Sequence, residues 1–178
     1  LLKVIGEYRQ AADTYQSIQE QYVSTEQSED TAVADEYTPT ESEAIPISID
    51  FPALLEMNKD IVGWIYCPDT VINYPVVQGK DNNEYLRHDL NGKYLISGTV
   101  FVDYRNETVG SDSNYILYGH NMKDGTMFGS IVKYKEQSYF DSHPIMYYLT
   151  PDKSFKIELL AGYVTPRDSE VYNKSFGT

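Results

Sequence analysis

The sequence has 178 residues, which suits one domain with an additional segment. Its formal net charge is −13 and no region is basic, which argues against nucleic-acid binding and against attraction to anionic lipid headgroups. Its 17 tyrosines against 6 phenylalanines, within 41% hydrophobic residues, indicate a β-rich fold with a sizeable core, and a single cysteine excludes an internal disulfide.

The first predicted element is an amphipathic helix over residues 1–23, where apolar side chains recur at alternating steps of three and four residues. This helix either packs on its own domain or stands apart as a stalk or a lattice-contact helix. Residues 24–44 contain seven acidic and no basic side chains, which predicts a flexible acidic linker. Because residue 1 is leucine and not methionine, we expect that the chain was cut there and that any signal or membrane anchor preceded it.

Residues 45–178 are predicted to form a mainly β domain with short helices and no repeating β–α–β unit, so an antiparallel or mixed barrel fits better than a doubly wound sheet. Asp50 is expected to cap a short helix that ends near Met57, and Pro75 indicates an edge strand or a bulge. Predicted strands cover residues 61–66, 71–77, 97–102, 114–118, 145–149 and 155–164, and predicted helices cover residues 81–90 and 126–134. In the last helix, the side chains expected to face inward are Met127, Phe128, Ile131 and Val132.

His120 is the strongest candidate for chemistry that the residues themselves provide. It follows Gly119 at the end of an apolar run, where a strand would deliver a side chain to the edge of a sheet, and imidazole titrates near neutral pH. A histidine that is only hydrogen-bonded within a loop is the alternative. His88 is expected to be solvated or to cap a helix, and His143 is expected to end a helix before a strand.

The remaining candidate side chains are assigned unreactive roles. Cys67 has no base or cation beside it in sequence that would favour a thiolate, so we expect a small inert thiol. Asp103, Asp112 and Asp124 fit no calcium-loop spacing and are expected to be solvated turn residues. No glycine-rich stretch leads into lysine and serine or threonine, so the sequence predicts no phosphate-binding loop.

Five separated motifs occur in the order in which a known protein family has them: DIVGWI at 60–65, NYPVVQGKDN at 73–82, YLRHD at 85–89, DYRN at 103–106 and YGHNMKDGTMF at 118–128. Together these motifs resemble class B sortases, and the similarity extends from about residue 49 to residue 178. The stretch after His120 favours class B over class A and the pilin-type members. The resemblance implies an eight-stranded sortase β-barrel with an added N-terminal helical section, of which residues 45–178 would supply about six strands.

The resemblance also implies a reaction. Class B sortases are cysteine transpeptidases that lie outside the membrane of Gram-positive bacteria, held by an N-terminal anchor. They cleave a sorting-signal peptide after threonine, form an acyl-enzyme on the cysteine, and release it with an amine of the peptidoglycan precursor or cross-bridge. The implied partners are therefore the sorting peptide and the peptidoglycan amine, and no metal or organic cofactor is needed.

By the same resemblance, His120 matches the catalytic histidine, while Asn73, Val77 and Tyr118 match positions that contact or line the site of the sorting peptide. Tyr118 lies two residues before His120 on one predicted strand, so both side chains should point to the same side. The alternatives are a turn or bulge amide for Asn73, plain core for Val77 and packing alone for Tyr118.

The sequence departs from the family pattern at the nucleophile. The family's catalytic cysteine and arginine lie on the last two barrel strands, and neither Cys67 nor Arg167, which stands beside Asp168, occupies a matching place. We therefore expect about three quarters of a sortase that does not catalyse the reaction alone, because the sequence is truncated, because another chain supplies the missing strands, or because the gene is broken. The alternatives are a non-catalytic peptide- or wall-binding relative, and an extracellular interaction module built on the acidic residues 1–44.

Overall fold

The computed structural model of the protein describes residues 2–25, 45–107, 109–166 and 168–173. In chain order its helices and strands are α1 (Leu2–Tyr22), β1 (Val23–Thr25), β2 (Ile47–Ile49), α2 (Phe51–Met57), β3 (Ile61–Tyr66), β4 (Asn73–Val77), β5 (Val100–Val102), β6 (Leu117–Tyr118), α3 (Gln137–Ser142), β7 (Ile145–Leu149) and β8 (Ser154–Glu158). Two 3₁₀ helices cover Phe128–Lys135 and Glu170–Tyr172. Residues 26–44 of the predicted linker, and Arg167, lie outside the described residues.

Strands β3 to β8 form one mixed sheet in the order β6-β5-β4-β3-β7-β8. All neighbours are antiparallel except β4 and β5, which run parallel. The strands are short and rich in β-branched and aromatic side chains, which fit a pleated and largely buried surface. The sheet curls into part of a barrel, which confirms the predicted sortase-type β-barrel with about six strands and short helices.

Helix α1 packs against the sheet along one stripe of side chains. Ala11, Tyr15, Ile18 and Tyr22 are buried, and their spacing of three and four residues places them on one face. The Tyr15 ring meets Tyr74 of β4 edge to face, with 5.3 Å between the ring centroids. The helix therefore packs on its own domain and is not a free stalk. Among the described residues, no helix combines the length and the apolar character that crossing a membrane requires.

The short helix α2 begins as its sequence predicts. The Asp50 carboxylate accepts a hydrogen bond from the Ala53 amide at 3.0 Å, Pro52 lies in the first turn, and the helix ends at Met57. Immediately before α2, β2 pairs with β1 and joins the end of α1 to the start of the barrel. Residues 24–25, which are predicted to open the linker, belong to a strand instead.

The segment 81–90 consists of turns, so the helix predicted there is wrong. The Asp81 side chain caps the first turn by accepting from the amides of Asn83 and Glu84, but the carbonyl groups of Tyr85 and Arg87 accept from the amides of Thr99 and Leu95 at 3.0 and 2.9 Å, so the segment pairs with the following chain and no helix continues. Four predicted strands are also shorter than expected, and cover Asn73–Val77, Val100–Val102, Leu117–Tyr118 and Ser154–Glu158.

Strand β4 is internal to the sheet, so the edge-strand alternative for Pro75 is wrong. The sheet accommodates the proline because β5 pairs only with Val76 and Val77, which leaves Pro75 without a ladder partner on that side. A bulge does lie nearby, in β3, because Ile61 pairs with Val77 whereas Gly63 already pairs with Val76.

The 3₁₀ helix over residues 128–135 only partly follows the predicted inward face. Met127 is buried and Phe128 is partly buried, but Ile131 and Val132 are 39% and 47% exposed. A 3₁₀ helix has about three residues per turn, so its later side chains rotate away from the face that an α-helix would bury.

Candidate active site

His120 follows β6 directly, with Gly119 between it and the last strand residue. Its ring is half-buried, and Nε2 lies 2.7 Å from the carbonyl oxygen of Leu86. Because a carbonyl oxygen only accepts hydrogen bonds, Nε2 must be the donor. In the neutral imidazole, Nδ1 is then the nitrogen that can take up a proton. The contact with Leu86 therefore fixes the orientation of the ring and the position of its proton in the neutral form.

The backbone on both sides of His120 is held by the loop that follows it. The carbonyl oxygen of His120 accepts a hydrogen bond from the Phe128 amide at 3.0 Å, and the Met127 amide donates to the Tyr74 hydroxyl at 3.0 Å. Gly119 is required here, because a Cβ at this position would lie 2.6 Å from the Phe128 ring. The histidine is thus carried by a closed loop and not by a free strand end.

Tyr118 lies opposite Phe101 of β5, and the two ring centroids are 5.1 Å apart. Its hydroxyl donates to Oδ2 of Asp103 at 2.9 Å. Burial, and secondly this hydrogen bond to a carboxylate, raise the pKa of Tyr118 to about 12. The hydroxyl therefore remains neutral, and remains a donor, at physiological pH.

Asp103 is not the solvated turn residue that the sequence predicts, because only 1% of it is exposed. Its carboxylate accepts hydrogen bonds from Arg105 Nε at 2.8 Å, from Arg105 Nη2 at 2.7 Å and from Asn82 Nδ2 at 3.1 Å, in addition to Tyr118. Burial alone would raise the pKa of Asp103, but the hydrogen bonds from Arg105, Asn82 and Tyr118 hold it well below the usual range. Asp103 is therefore a buried, fully ionised acceptor.

A depression with a cavity volume of about 390 Å³ opens beside Tyr118. It is lined by Asn82, Asn83, Leu86, Phe101, Tyr118 and Tyr172. The Tyr172 ring stacks on Tyr118 with 6.3 Å between centroids and an interplanar angle of 15°. Leu86 lines this depression and also accepts a hydrogen bond from His120 through its carbonyl group, so one residue contacts both the depression and the histidine.

The structure does not place Asn73 or Val77 on the wall of this depression. The Asn73 side-chain oxygen accepts a hydrogen bond from the Trp64 indole at 2.7 Å, and its backbone oxygen accepts one from Gln19 of α1 at 2.6 Å. Val77 is 0% exposed and lies beneath the site, paired with Phe101 in the neighbouring strand. Asn73 instead lines a separate depression beside α1. The roles that the resemblance assigns to Asn73, Val77, Tyr118 and His120 stay predictions.

The other histidines make local contacts. His88 Nδ1 donates to the Glu84 carbonyl oxygen at 2.7 Å from an exposed position. His143 Nδ1 donates to the Tyr139 carbonyl oxygen at 2.9 Å, and His143 ends α3 just before β7, as predicted.

Cys67 is fully buried, with Sγ 3.6 Å from the Tyr134 hydroxyl and 3.5 Å from the Ile145 carbonyl oxygen. Burial, and secondly the contact with Cys67, raise the pKa of Tyr134. Within the ranges that the structure describes, no group of three or more histidine, cysteine, aspartate or glutamate side chains could hold a metal ion.

Sequence reasoning missed the side chains that surround Tyr118. Asn82 and Leu86 fall within or beside two of the motifs, but their contribution depends on turns that fold back towards β6. Tyr172 is far away in sequence and contributes through stacking. The one local signal was the acidic and basic pair in the DYRN motif, since Asp103 and Arg105 are two residues apart and bind each other.

Comparison with known proteins gives one consistent family. Residues 65–176 match the family described as Sortase domain. Sortase B of Listeria monocytogenes is 42% identical over 115 residues, which cover 65% of this chain and 47% of that protein. Sortase B of Staphylococcus aureus is 39% identical over 115 residues with the same coverage. The chain thus spans about half the length of the curated relatives it matches.

Solved structures agree with this family. A Bacillus anthracis protein described as similar to sortase B superposes with a TM-score of 0.76 at 36% identity, over 96% of this chain and 75% of that chain. A Staphylococcus aureus sortase B–substrate complex superposes with a TM-score of 0.69 at 36% identity, over 72% of this chain and 59% of that chain. The family match covers more than half of the sequence, and these relatives are all of one class. The resemblance drawn from the five motifs is therefore confirmed, and the chain belongs to the sortase family as a class B member.

Proposed function

We propose that this chain supplies the peptide-binding surface and the catalytic histidine of a class B sortase, a cysteine transpeptidase. The observation that carries the proposal is that Leu86 both lines the depression beside Tyr118 and accepts a hydrogen bond from His120. The existence of a substrate complex for a relative of the same fold supports a peptide as the ligand.

In the proposed reaction, a thiolate attacks the carbonyl carbon of threonine in a sorting-signal peptide. The peptide C–N bond breaks, a thioester forms, and the leaving amine takes a proton. An amine of the peptidoglycan precursor or cross-bridge then attacks the thioester, loses a proton and forms the new amide. One difficult exchange is thereby divided into two acyl transfers.

His120 is the residue we propose for both proton transfers. The protonated ring donates to the leaving amine, and the neutral ring then accepts the proton of the incoming amine. Because Nε2 is held by the Leu86 carbonyl group, Nδ1 is the atom at which the proton arrives and leaves. Tyr118 is proposed to contact the peptide, since its ring lines the depression and its hydroxyl is fixed by Asp103.

The proposed setting is the outer face of the membrane of a Gram-positive bacterium, reached through an anchor that precedes Leu1. The proposed outcome is the covalent attachment of secreted proteins to peptidoglycan. The net charge of −13 is compatible with an amine acceptor and disfavours adhesion to anionic headgroups.

We also propose that these 178 residues do not catalyse acyl transfer by themselves. Cys67 is the only cysteine, and its fully buried Sγ faces Tyr134 and the Ile145 carbonyl group, not the depression. This same observation favours a second candidate function, a non-catalytic module that binds a sorting peptide or a wall component without cleaving it.

Peptide binding tests the proposal. A fluorescein-labelled peptide that contains threonine within a sorting-type sequence is titrated with the chain, and anisotropy is recorded. We expect saturable binding that Tyr118→Ala weakens about tenfold, because an aromatic wall of the depression is lost. Tyr94→Ala, which removes a largely exposed tyrosine, is the matched control and should bind like the unmodified chain.

A fluorogenic version of the same peptide measures turnover. Absence of cleavage together with binding is the expected result. Cleavage that disappears in Cys67→Ala would contradict the role given to Cys67, and equal binding by the Tyr118→Ala and unmodified chains would contradict the peptide-binding role of the depression.

A further inference from the structure

We propose that Asp103 and Arg105 form a clasp that holds residues 168–173 over Tyr118, and that the two are positioning residues for the peptide-binding depression. The inference rests on the proposed function, because it concerns the same depression. In this proposal the DYRN motif has a positioning role, which is distinct from acid–base chemistry and from direct contact with the peptide.

The first step is the burial of a charge. An ionised carboxylate that is almost fully buried is strongly disfavoured unless its oxygens are saturated with donors. Asp103 meets this condition with donors from Arg105, Asn82 and Tyr118. Its own amide donates to the Ile116 carbonyl oxygen at 2.9 Å, so the carboxylate sits on backbone that is tied to the chain leading into β6. The Asp103 carboxylate is therefore held in one position by its donors and by its own backbone.

The second step is the link from this carboxylate to the distant segment. Arg105 binds Asp103 through Nε and Nη2, and the same Nη2 donates to the Tyr172 carbonyl oxygen at 2.9 Å. The planar guanidinium presents its donors in a rigid fork, so the geometry of one bond determines that of the others. Arg105 thus holds Tyr172 at a fixed place relative to the buried Asp103 carboxylate.

The third step is the weakness of the segment without this link. None of residues 168–173 is fully buried. Asn114 also ties the segment to the barrel, because its Nδ2 donates to the carbonyl oxygens of Val171 and Asn173 at 2.8 Å each. Segments with few buried contacts open locally at low free-energy cost. Loss of the Arg105 bond should therefore release Tyr172 from Tyr118.

The fourth step connects the clasp to binding. Asp103 Oδ2 accepts from the Tyr118 hydroxyl and from Asn82, and both residues line the depression. Asn82 is fixed at its other end, because its Oδ1 accepts from the Tyr104 amide at 3.0 Å. One carboxylate thus orients two walls directly and the third wall, Tyr172, through Arg105.

Amide hydrogen exchange tests the clasp itself. The double variant Asp103→Asn/Arg105→Met removes the ion pair without leaving a buried charge unpaired, and Arg9→Met on the exposed face of α1 is the matched control. The amides of Ser169, Tyr172 and Asn173 are hydrogen-bonded in the folded chain. We expect them to exchange about tenfold faster in the double variant, with exchange in β3 and β4 unchanged, because a charge-assisted bond is lost. Unchanged exchange at these amides would overturn the inference.

Peptide anisotropy then tests the positioning role. The double variant should bind the threonine-containing peptide about tenfold more weakly than the unmodified chain. The single variant Arg105→Lys should also bind weakly, because lysine keeps the charge but lacks the planar fork of donors. Faster exchange with unchanged peptide affinity would also overturn the inference. If the unmodified chain binds no peptide, the proposed function fails, and the exchange data alone decide whether the clasp exists.

Discussion

The Tyr15 hydroxyl connects helix α1 to the loop that contains Leu86, whose carbonyl group accepts a hydrogen bond from His120. It donates to Gly98 O and to Thr99 Oγ1, which is 3.0 Å away, and the Thr99 amide donates to the Tyr85 carbonyl oxygen at 3.0 Å, one residue before Leu86. Tyr15→Phe removes this hydroxyl while leaving the ring on the sheet. Tyr15→Ala removes both, so the two variants separate the hydrogen bond from the packing.

The structure sets the size of each effect. After Tyr15→Phe, the Gly98 carbonyl oxygen still accepts from the Ser97 hydroxyl, and the Thr99 hydroxyl still donates to the His88 carbonyl oxygen, so neither group is left without a partner. The loss is therefore that of one shared hydroxyl hydrogen, about 1 kcal/mol in the free energy of unfolding. Tyr15→Ala also empties a fully packed site and should cost about 3–5 kcal/mol.

Urea unfolding followed by circular dichroism measures both values, with Tyr94→Phe as an exposed control. In a thermal scan the phenylalanine variant should melt about 2–4 °C lower than the unmodified chain. If Tyr15→Ala destabilises no more than Tyr15→Phe, the ring contributes nothing and α1 does not pack on the barrel in solution. That result would refute the assignment of α1 to the same folding unit.

Three further predictions concern the site and its surroundings. Gly119→Ala should destabilise the fold by about 1–3 kcal/mol, because its Cβ would lie 2.6 Å from the Phe128 ring; urea unfolding checks this, and Gly6→Ala, which meets nothing within 4 Å, is the control. Cys67 should resist iodoacetamide in the folded chain and react after unfolding, since its Sγ is fully buried; rapid labelling of the native chain, read by intact mass, would contradict this. The pKa of Asp103 is lowered in the folded state, so its contribution to stability is present above the unfolded value near 3.9 and is lost as pH falls towards the folded value. The free energy of unfolding should therefore fall more steeply below about pH 4 for the unmodified chain than for Asp103→Asn/Arg105→Met, and equal slopes would refute the assignment.

The sequence predicted correctly those elements that are stabilised by residues close together along the chain. The stripe of α1 and the cap of α2 each depend on residues within a few positions of one another, and both appear in the structure. Each of the six predicted barrel strands overlaps a strand of the sheet, whereas the order of these strands in the sheet was not predicted. The helix predicted over residues 81–90 is wrong because the carbonyl groups of Tyr85 and Arg87 bond to the amides of Thr99 and Leu95, and apolar spacing within the segment does not reveal these more distant partners.

The sequence shows directly only what lies close together along the chain. Tyr118 ends β6 and His120 follows it two residues later. Asp103 was mistaken for a solvated turn residue because its donors come from separate segments, at Asn82, Arg105 and Tyr118. Asn73 matches a family position, and its side-chain oxygen accepts a hydrogen bond from the Trp64 indole, a contact that depends on tertiary packing and that the sequence does not reveal.

We expect peptide recognition and bond breaking to be separable in this chain. Among the described residues, the Leu86 carbonyl group orients His120, and Asp103 orients Tyr118 and, through Arg105, Tyr172. None of these contacts involves a thiol. A site whose binding walls are already fixed should therefore bind peptide before any nucleophile acts on it, since little ordering remains to oppose binding. Measurable peptide affinity without turnover is the specific consequence. A depression that becomes ordered only when a cysteine-bearing segment is supplied would show that recognition and catalysis are built together.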